Sequence, residues 1–586
     1  MRRHLHNFWP LPLILLAALP AFLVSLGDRD VARVMENVSV GSSQETWHAQ
    51  RGDFQPGVTY PDWNVLVLPT WNGEPRVNKP PMLVWVNILA AELTGHDPDT
   101  TDADRFILIC RVVTVLFALL AVASVYGLGV HLGDRTLAVF AAAVLVTMWC
   151  VVRAGRTASY DGHLVGWGTL AVAAAVVGSG LMQPRPPSPR RRWVGWSVAA
   201  LATTAAVMTK GPLAWAVVGL PLAVLSAVDP KRFRIVLVGL MAAGLVSAAA
   251  FAGWFFAVER TVPQLGETLA VEYAAQRSEA QPFWYYAVLL VMAVPWTPWL
   301  VAALFHPFVY RPDAVTEPDD AKRARRLRLL PWVWFVTLLV FFSIPGAKQQ
   351  RYILPAVPAA ALLCAFVLRD HWRVAGLGKP DRGAWLLQRP VGAVAVAGSL
   401  ILPFLLAGQG WLQDRGWIDD LNLAPIAASS AVVLGLTLLA LSLPAEHKLR
   451  KHRLVPGVLL LAGWMTLVTA TANRAYALRS ADNDPAPTAA ARLIGLADGR
   501  PIVYLRPDEP TQPDVSDEEP LLVHLQRAVP VIDETALRNY AGRAVVIGEP
   551  IDINDGTLKD LGYAPAFDFV GDKQRPRRVY TPAAPP

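Results

Sequence analysis

The residues of this chain with the means to do chemistry lie in short polar stretches between long apolar ones. Asp28 and Asp30 follow the first apolar run, Lys79 sits in WNGEPRVNKPPMLVWV, Asp161 in RAGRTASYDGH and Lys210 in MTKGP. Glu272 and Arg277 fall between Glu259 and Pro282, and Lys348, Arg351 and Tyr352 in SIPGAKQQRYILP. Taken singly, each is a charged or polar residue at the end of an apolar segment, the usual place for an interfacial anchor. As a set they put acids beside bases. A carboxylate such as Asp30 is suited to deprotonate an acceptor, and Lys and Arg to hold a phosphate leaving group as negative charge develops on it. His48 and His163 lack the paired spacing of metal ligands, so a divalent metal is not supported and no cofactor is expected. Cys110, Cys150 and Cys364 lie in apolar runs without CxxC spacing and read as core residues.

What must position these residues is a membrane scaffold. Of 586 residues 54% are hydrophobic and 17% charged, against roughly 25% charged in an ordinary soluble domain. Apolar segments run over Pro10 to Leu26, Phe106 to Val130, Leu137 to Val152, Leu164 to Leu181, Trp193 to Met208, Leu213 to Val228 and Ile235 to Val258. Tyr285 to Phe308, Leu330 to Phe342, Ile353 to Leu368, Val391 to Ala407, Ile426 to Leu443 and Val455 to Thr471 follow. They predict an all-α polytopic membrane protein of about 13 transmembrane helices, several of them extended into flanking polar residues to reach bilayer thickness. The net charge of +7 would suggest nucleic acid in a soluble chain. Here the basic residues are loop residues, and no nucleic-acid partner is expected.

The basic loops orient the spans. With the MRRH start in the cytoplasm and Met82 to Leu93 not crossing, PRPPSPRRRW, DPKRFR, YRPDAVTEPDDAKRARRLRL, RDHWRVAGLGKPDRGAWLLQR and AEHKLRKHRL all fall inside. Counting Met82 to Leu93 as a span would turn all of them outside, so that segment is predicted to be an amphipathic helix on the outer surface. Arg2, Arg3, the apolar run and Ser25-Leu26-Gly27 also fit a cleavable signal peptide; the first segment is read as an anchor because twelve more spans follow it. After Asn473 the sequence changes to RLIGLADGRPIVYLRPDEP and AGRAVVIGEP, an alternation of helix and strand. This divides the chain into a membrane domain over 1–474, with 28–105 as its first outer loop, and a small extracytoplasmic α/β domain over 475–586. Neither a GxGxxG, a Walker nor a zinc-binding pattern occurs there.

The candidate residues thus collect on the outer face of a cytoplasmic (inner) membrane. ATP and nucleotide sugars are cytoplasmic, so an activated group has to arrive there on a lipid carrier, which points to a lipid phosphate. A secondary transporter would also need a dozen spans, but places ionisable residues near mid-membrane and shows internal repeats. A catalytically inactive, envelope-binding protein is a third reading.

In order along the chain, DRDVARVM, NGEPRVNKPPMLVWV, RTASYDGHL, MTKGPLAW, VEYAAQR, QPFWYYAVLLVMAVPW and FFSIPGAKQQRYILPAVPA resemble the motifs of the protein mannosyltransferase and aminoarabinose transferase family, membrane glycosyltransferases of the C-type fold. The resemblance covers roughly Asp28 to Ala360; the last three spans and the tail match in layout only. It implies an inverting transferase that moves a single sugar from a polyprenyl phosphate, amid membrane lipids, to an acceptor lipid, glycan or protein. It implies catalytic roles for Asp30, as base, and Asp161, and substrate contacts from Lys79, Arg156, Lys210, Arg277 and Lys348, with Arg351 and Tyr352 nearby. The chain departs from the family at Val31, where an acid is usual, at Asn78, where Glu is usual, and at Tyr273, where His is usual. SSQETWHAQRGDFQPGVTYPDWNVLV lengthens the first outer loop.

Overall fold

The computed structural model describes residues 8–28, 31, 34–51, 63–96, 103–262, 265–266, 280–293, 296–309, 318–377, 485–506, 519–526, 528–540, 542–550, 555–571 and 576–583. Asp30, Arg277, Tyr273 and the segments expected at Val391 to Ala407, Ile426 to Leu443 and Val455 to Thr471 lie outside the described residues.

Helix α1 (Pro10–Leu23) opens on a proline, whose missing N–H is no loss in a first turn. The segment between α1 and the next long helix holds α2 (Val34–Arg51), a hairpin of β1 (Thr70–Trp71) and β2 (Glu74–Pro75), and α3 (Met82–Leu93). Then come α4 (Ala103–Leu132), α5 (Arg135–Thr147), α6 (Trp149–Gly155), α7 (Tyr160–Ser179), α8 (Pro189–Lys210), α9 (Leu213–Val228) and α10 (Phe233–Glu259). They are followed by α11 (Thr297–Val309), α12 (Pro318–Ser343) and α13 (Val357–Leu377). Among the described residues five helices are long and apolar enough to cross a membrane, or six if α5 and α6 count as one bent span. Val238, Met241 and Leu245 are exposed on α10, the arrangement hydrocarbon permits and water penalises.

Where α7 and α8 run side by side, Gly178 and Gly195 meet so closely that a Cβ on Gly195 would lie 2.5 Å from the Gly178 Cα. Two glycines let the backbones touch, and the antiparallel pairing carries the start of α7 to the end of α8.

Two expected spans are not single helices. Leu137 to Val152 bends by 64° between α5 and α6: Met148 takes extended geometry (ψ 128°), and the Thr147 hydroxyl accepts from the Trp296 indole at 2.8 Å. Tyr285 to Phe308 begins as a 3-10 segment, Phe283–Val288, and resumes as α11, in a stretch, AVPWTPW, whose prolines remove helix donors. Basic stretches expected as loops are partly helical. PRRR starts α8, capped by Ser188, whose Oγ accepts from the Arg191 N–H at 3.3 Å, and KRARRLRL belongs to α12. Part of the insertion in the first outer loop is likewise helix, since SSQETWHAQR completes α2.

Helix α3 is not amphipathic in the expected sense. Its inner face buries Asn87, whose Nδ2 donates to Ser43 Oγ at 3.1 Å, among Leu83, Val84 and Ile88, while Leu89 and Leu93 are exposed. At 1.5 Å per residue its 12 residues span about 18 Å, too short to cross.

The C-terminal part contains α14 (Pro485–Ala497), β3 (Ile502–Leu505), α15 (Glu519–Leu525), β4 (Val531–Ile532), β5 (Val545–Gly548), β6 (Tyr563–Val570) and β7 (Pro576–Pro582). They form a five-stranded sheet in the order β4-β3-β5-β7-β6. Strands β4, β3 and β5 are parallel, and IVYL and VVIG are buried throughout, as a parallel sheet covered by helices requires. The antiparallel β5-β7 and β7-β6 pairs were not legible in a Pro-rich, charged sequence.

Candidate active site

The site is assembled from helix ends. Asp161 stands in the first turn of α7, where the helix dipole favours a carboxylate. Lys210 is the last residue of α8, where the dipole favours a cation. The sequence TKGP forces this end: Gly211 has φ +71°, a value open chiefly to glycine, and Pro212 precedes the first turn of α9.

Lys210 Nζ donates to Asp161 Oδ1 in a tight ion pair, and Arg351 Nε lies 3.6 Å from Asp161 Oδ2. Tyr352 completes the group, with Lys210 Nζ 5.2 Å and the Arg351 guanidinium 5.7 Å from its ring centre. Burial grades across the cluster. The side chains of Asp161 and Lys210 are 6% and 9% exposed, whereas that of Arg351 is 32% exposed. Of the cluster's two cations, Arg351 is therefore the one presented to the adjoining cleft. Arg153, Thr157, Ser159 and Gln350 line its polar side, and Trp149, Met292 and Leu354 its apolar side.

The other expected residues are placed differently. Arg156 is buried and donates to the carbonyls of Ala21 (3.2 Å), Phe22 (2.5 Å) and Ser25 (3.1 Å), so it caps the end of α1. Lys348 Nζ donates to the Gln281 carbonyl at 2.9 Å, closing the bridge between Ala280 and Ala347. Lys79 Nζ donates to the Asn78 carbonyl at 3.1 Å. Its neighbour Val77 packs in one apolar cluster with Met208 and Trp254, and α3 behind it lies against α8. The Lys79 segment thus approaches the end of α8 that carries Lys210. Val31 is 1% exposed, within a cluster containing Val40, Trp47 and Val84; its side chain faces core, not cleft.

Reasoning from sequence passed over the most buried ion pair near the site. Glu36 accepts from Arg111 Nε at 2.9 Å and Nη2 at 3.2 Å, and from the Ala158 N–H at 2.9 Å, while Arg111 Nη1 donates to the Leu26 carbonyl at 2.9 Å. The pair ties α1, α2, α4 and the turn before Asp161 into one frame. An arginine inside the apolar run ICRVVTV was the available signal. Among the described residues no group of three or more His, Cys, Asp or Glu is gathered to hold a metal.

A bundle of apolar helices, a cationic cleft built from helix termini and a C-terminal sheet make up a fold shared with a solved membrane glycosyltransferase of the C-type. The crystal structure of ArnT from Cupriavidus metallidurans bound to undecaprenyl phosphate superposes with a TM-score of 0.65 at 18% identity, over 99% of this chain and 100% of that one. Its apo form gives 0.64. By sequence, an undecaprenyl phosphate-alpha-4-amino-4-deoxy-L-arabinose arabinosyl transferase of Pectobacterium carotovorum is 31% identical over 49% of this chain and 48% of its own length. A homologue of the same description from Proteus mirabilis is 27% identical over 49% of each chain. The match thus spans about half the length of these relatives. No family model matches the chain.

Proposed function

We propose that this chain transfers a single sugar from a polyprenyl-phosphate carrier to an acceptor lipid, glycan or protein at the outer face of the cytoplasmic membrane, inverting the anomeric carbon. The observation that carries the reading is the cluster of Asp161, Lys210, Arg351 and Tyr352 at an open cleft: two cations against one carboxylate leave positive charge where a phosphate would sit. Both oxygens of Asp161 face these cations, so its part is to orient Lys210 and Arg351, and the base is Asp30. Lys79, Arg277 and Lys348 complete the phosphate-binding set, and Arg156 supports it by holding the end of α1. The membrane domain spans 1–474, the α/β domain 475–586, and the α/β domain and the cleft lie on the extracytoplasmic side. The names and fold of the homologues favour this reading over a transporter.

The test is transfer by the purified protein in detergent, with polyprenyl-phosphate sugars as donors and an envelope extract as acceptor. Asp30→Asn, nearly isosteric, is expected to lose about 10²- to 10⁴-fold in turnover with binding of the lipid phosphate retained. Equal activity of wild type and variant would remove Asp30 from the mechanism.

A further inference from the structure

The hairpin ahead of Lys79 is hydrogen-bonded through Asn72 to Val529, in the segment that leads into β4. Trp71 pairs with Glu74 across a two-residue turn in which Asn72 (φ +53°) and Gly73 (φ +79°) are both left-handed. This turn matches strand twist and selects Asn-Gly. The turn presents the Asn72 amide to a single residue of the C-terminal part. Asn72 Nδ2 donates to the Val529 carbonyl at 3.1 Å, and the Val529 N–H donates to Asn72 Oδ1 at 2.7 Å. Both halves of the amide are used on one backbone position, as a neighbouring strand would use it.

Packing follows the same line. Trp71 lies against the C-terminal apolar cluster that contains Leu493, Leu521 and Leu522 and also against the outer-loop cluster of Trp47, Val84 and Phe106. Gly41 of α2 admits its ring, since a Cβ there would come within 2.0 Å of it. Beyond the turn, the Arg76 N–H donates to the Pro69 carbonyl at 2.8 Å, and the Arg76 guanidinium lies 5.5 Å from the ring centre of Tyr160, the residue before Asp161. Lys79 is three residues further on.

We propose that Asn72 is a positioning residue: its amide clasps the segment before β4 to the hairpin and so fixes the segment from Arg76 to Lys79 against the Asp161 cluster. The inference rests on the role proposed for Lys79, and it makes the C-terminal part a support of the donor site's framework. Asn72→Gly keeps the left-handed turn and deletes the clasp. Asn72→Asp keeps the turn and the acceptor for the Val529 N–H but loses the donor.

Two measurements test it. Amide hydrogen exchange of purified protein in detergent should quicken at 74–81 and 528–532 in Asn72→Gly, less in Asn72→Asp, with α4 and α7 unchanged. With a polyprenyl-phosphate sugar as donor, Asn72→Gly should raise KM about tenfold at nearly unchanged kcat, Asn72→Asp should fall between, and binding of undecaprenyl phosphate should weaken in the same order. Exchange at 74–81 that does not change, or a fall in kcat alone, overturns the proposal. If Asn72→Gly loosens the whole fold, Asn72→Asp carries the same comparison. A wild-type protein that transfers no sugar would sink the proposed function, while exchange at 74–81 would still decide the clasp.

Discussion

The buried carboxylate beneath this hairpin makes its stability depend on pH. Glu45 of α2 is 6% exposed; its Oε1 accepts from the Gly73 N–H at 2.9 Å, and its Oε2 has no hydrogen-bond partner among the described residues. Burial, against the opposing pull of the Gly73 N–H, pushes its carboxyl from the ordinary 4.5 up to about 7. The closed hairpin therefore holds a proton that an opened one releases. A raised carboxyl favours the closed form fully below the ordinary value, and this advantage is lost as pH rises through about 7. At 1.36 kcal/mol per unit of pKa the whole effect is roughly 3 kcal/mol, or on the order of 100-fold in the opening equilibrium. Glu45→Gln keeps an oxygen for the Gly73 N–H and cannot ionise. Hydrogen exchange at 70–76 and 519–529, corrected for the intrinsic rate, reads the opening directly. Wild-type protection should fall on the order of 100-fold between about pH 5 and pH 8.5, while Glu45→Gln stays flat and exceeds wild type at the upper end. Parallel profiles in the two proteins would refute the reasoning.

Arg111→Met takes the guanidinium from buried Glu36 and should cost about 3 to 5 kcal/mol in thermal denaturation of the detergent-solubilised protein. Adding Glu36→Leu should recover most of that, short of the bond to the Ala158 N–H. Lys210→Ala should weaken use of a polyprenyl-phosphate donor by roughly 1.5 to 3 kcal/mol, read as KM, and should also lower thermal stability, because Arg351 at 3.6 Å is then the cation left beside buried Asp161. An impermeant thiol reagent on intact cells should label a cysteine placed at Thr535 and spare those placed at Arg191 or Arg325; labelling at Arg191 would invert the proposed topology.

Much of the cleft was legible because its residues are helix punctuation. TKGP states an end, with a glycine for the left turn and a proline for the next start, and SYDG states a beginning, so Lys210 and Asp161 were visible as termini before any contact was known. Arg351 and Tyr352 were visible beside a proline-rich break for the same reason. What sequence could not carry was partnership across the chain. Arg111 and Glu36 are 75 residues apart, Arg156 reaches carbonyls more than a hundred residues upstream, and neither spacing has a local signature. The bend at Met148 was hidden too, since an apolar run reads the same straight or broken, and the break is held by Trp296 from a distant segment.

The position of Val31 shows how such hidden partners redirect an inference. The family that the chain resembles usually carries an acid there. The valine instead closes an apolar cluster with Val40, Trp47 and Val84, beside the loop fastened by Glu36 and Arg111. A carboxylate at 31 would be buried in this apolar cluster, costing several kcal/mol unless it picked up a proton or a charged partner. The substitution therefore belongs with the lengthened α2 and its Trp47: Val31 is held there by packing. Further ties run from Glu36 to Arg111 and from Asn72 to Val529.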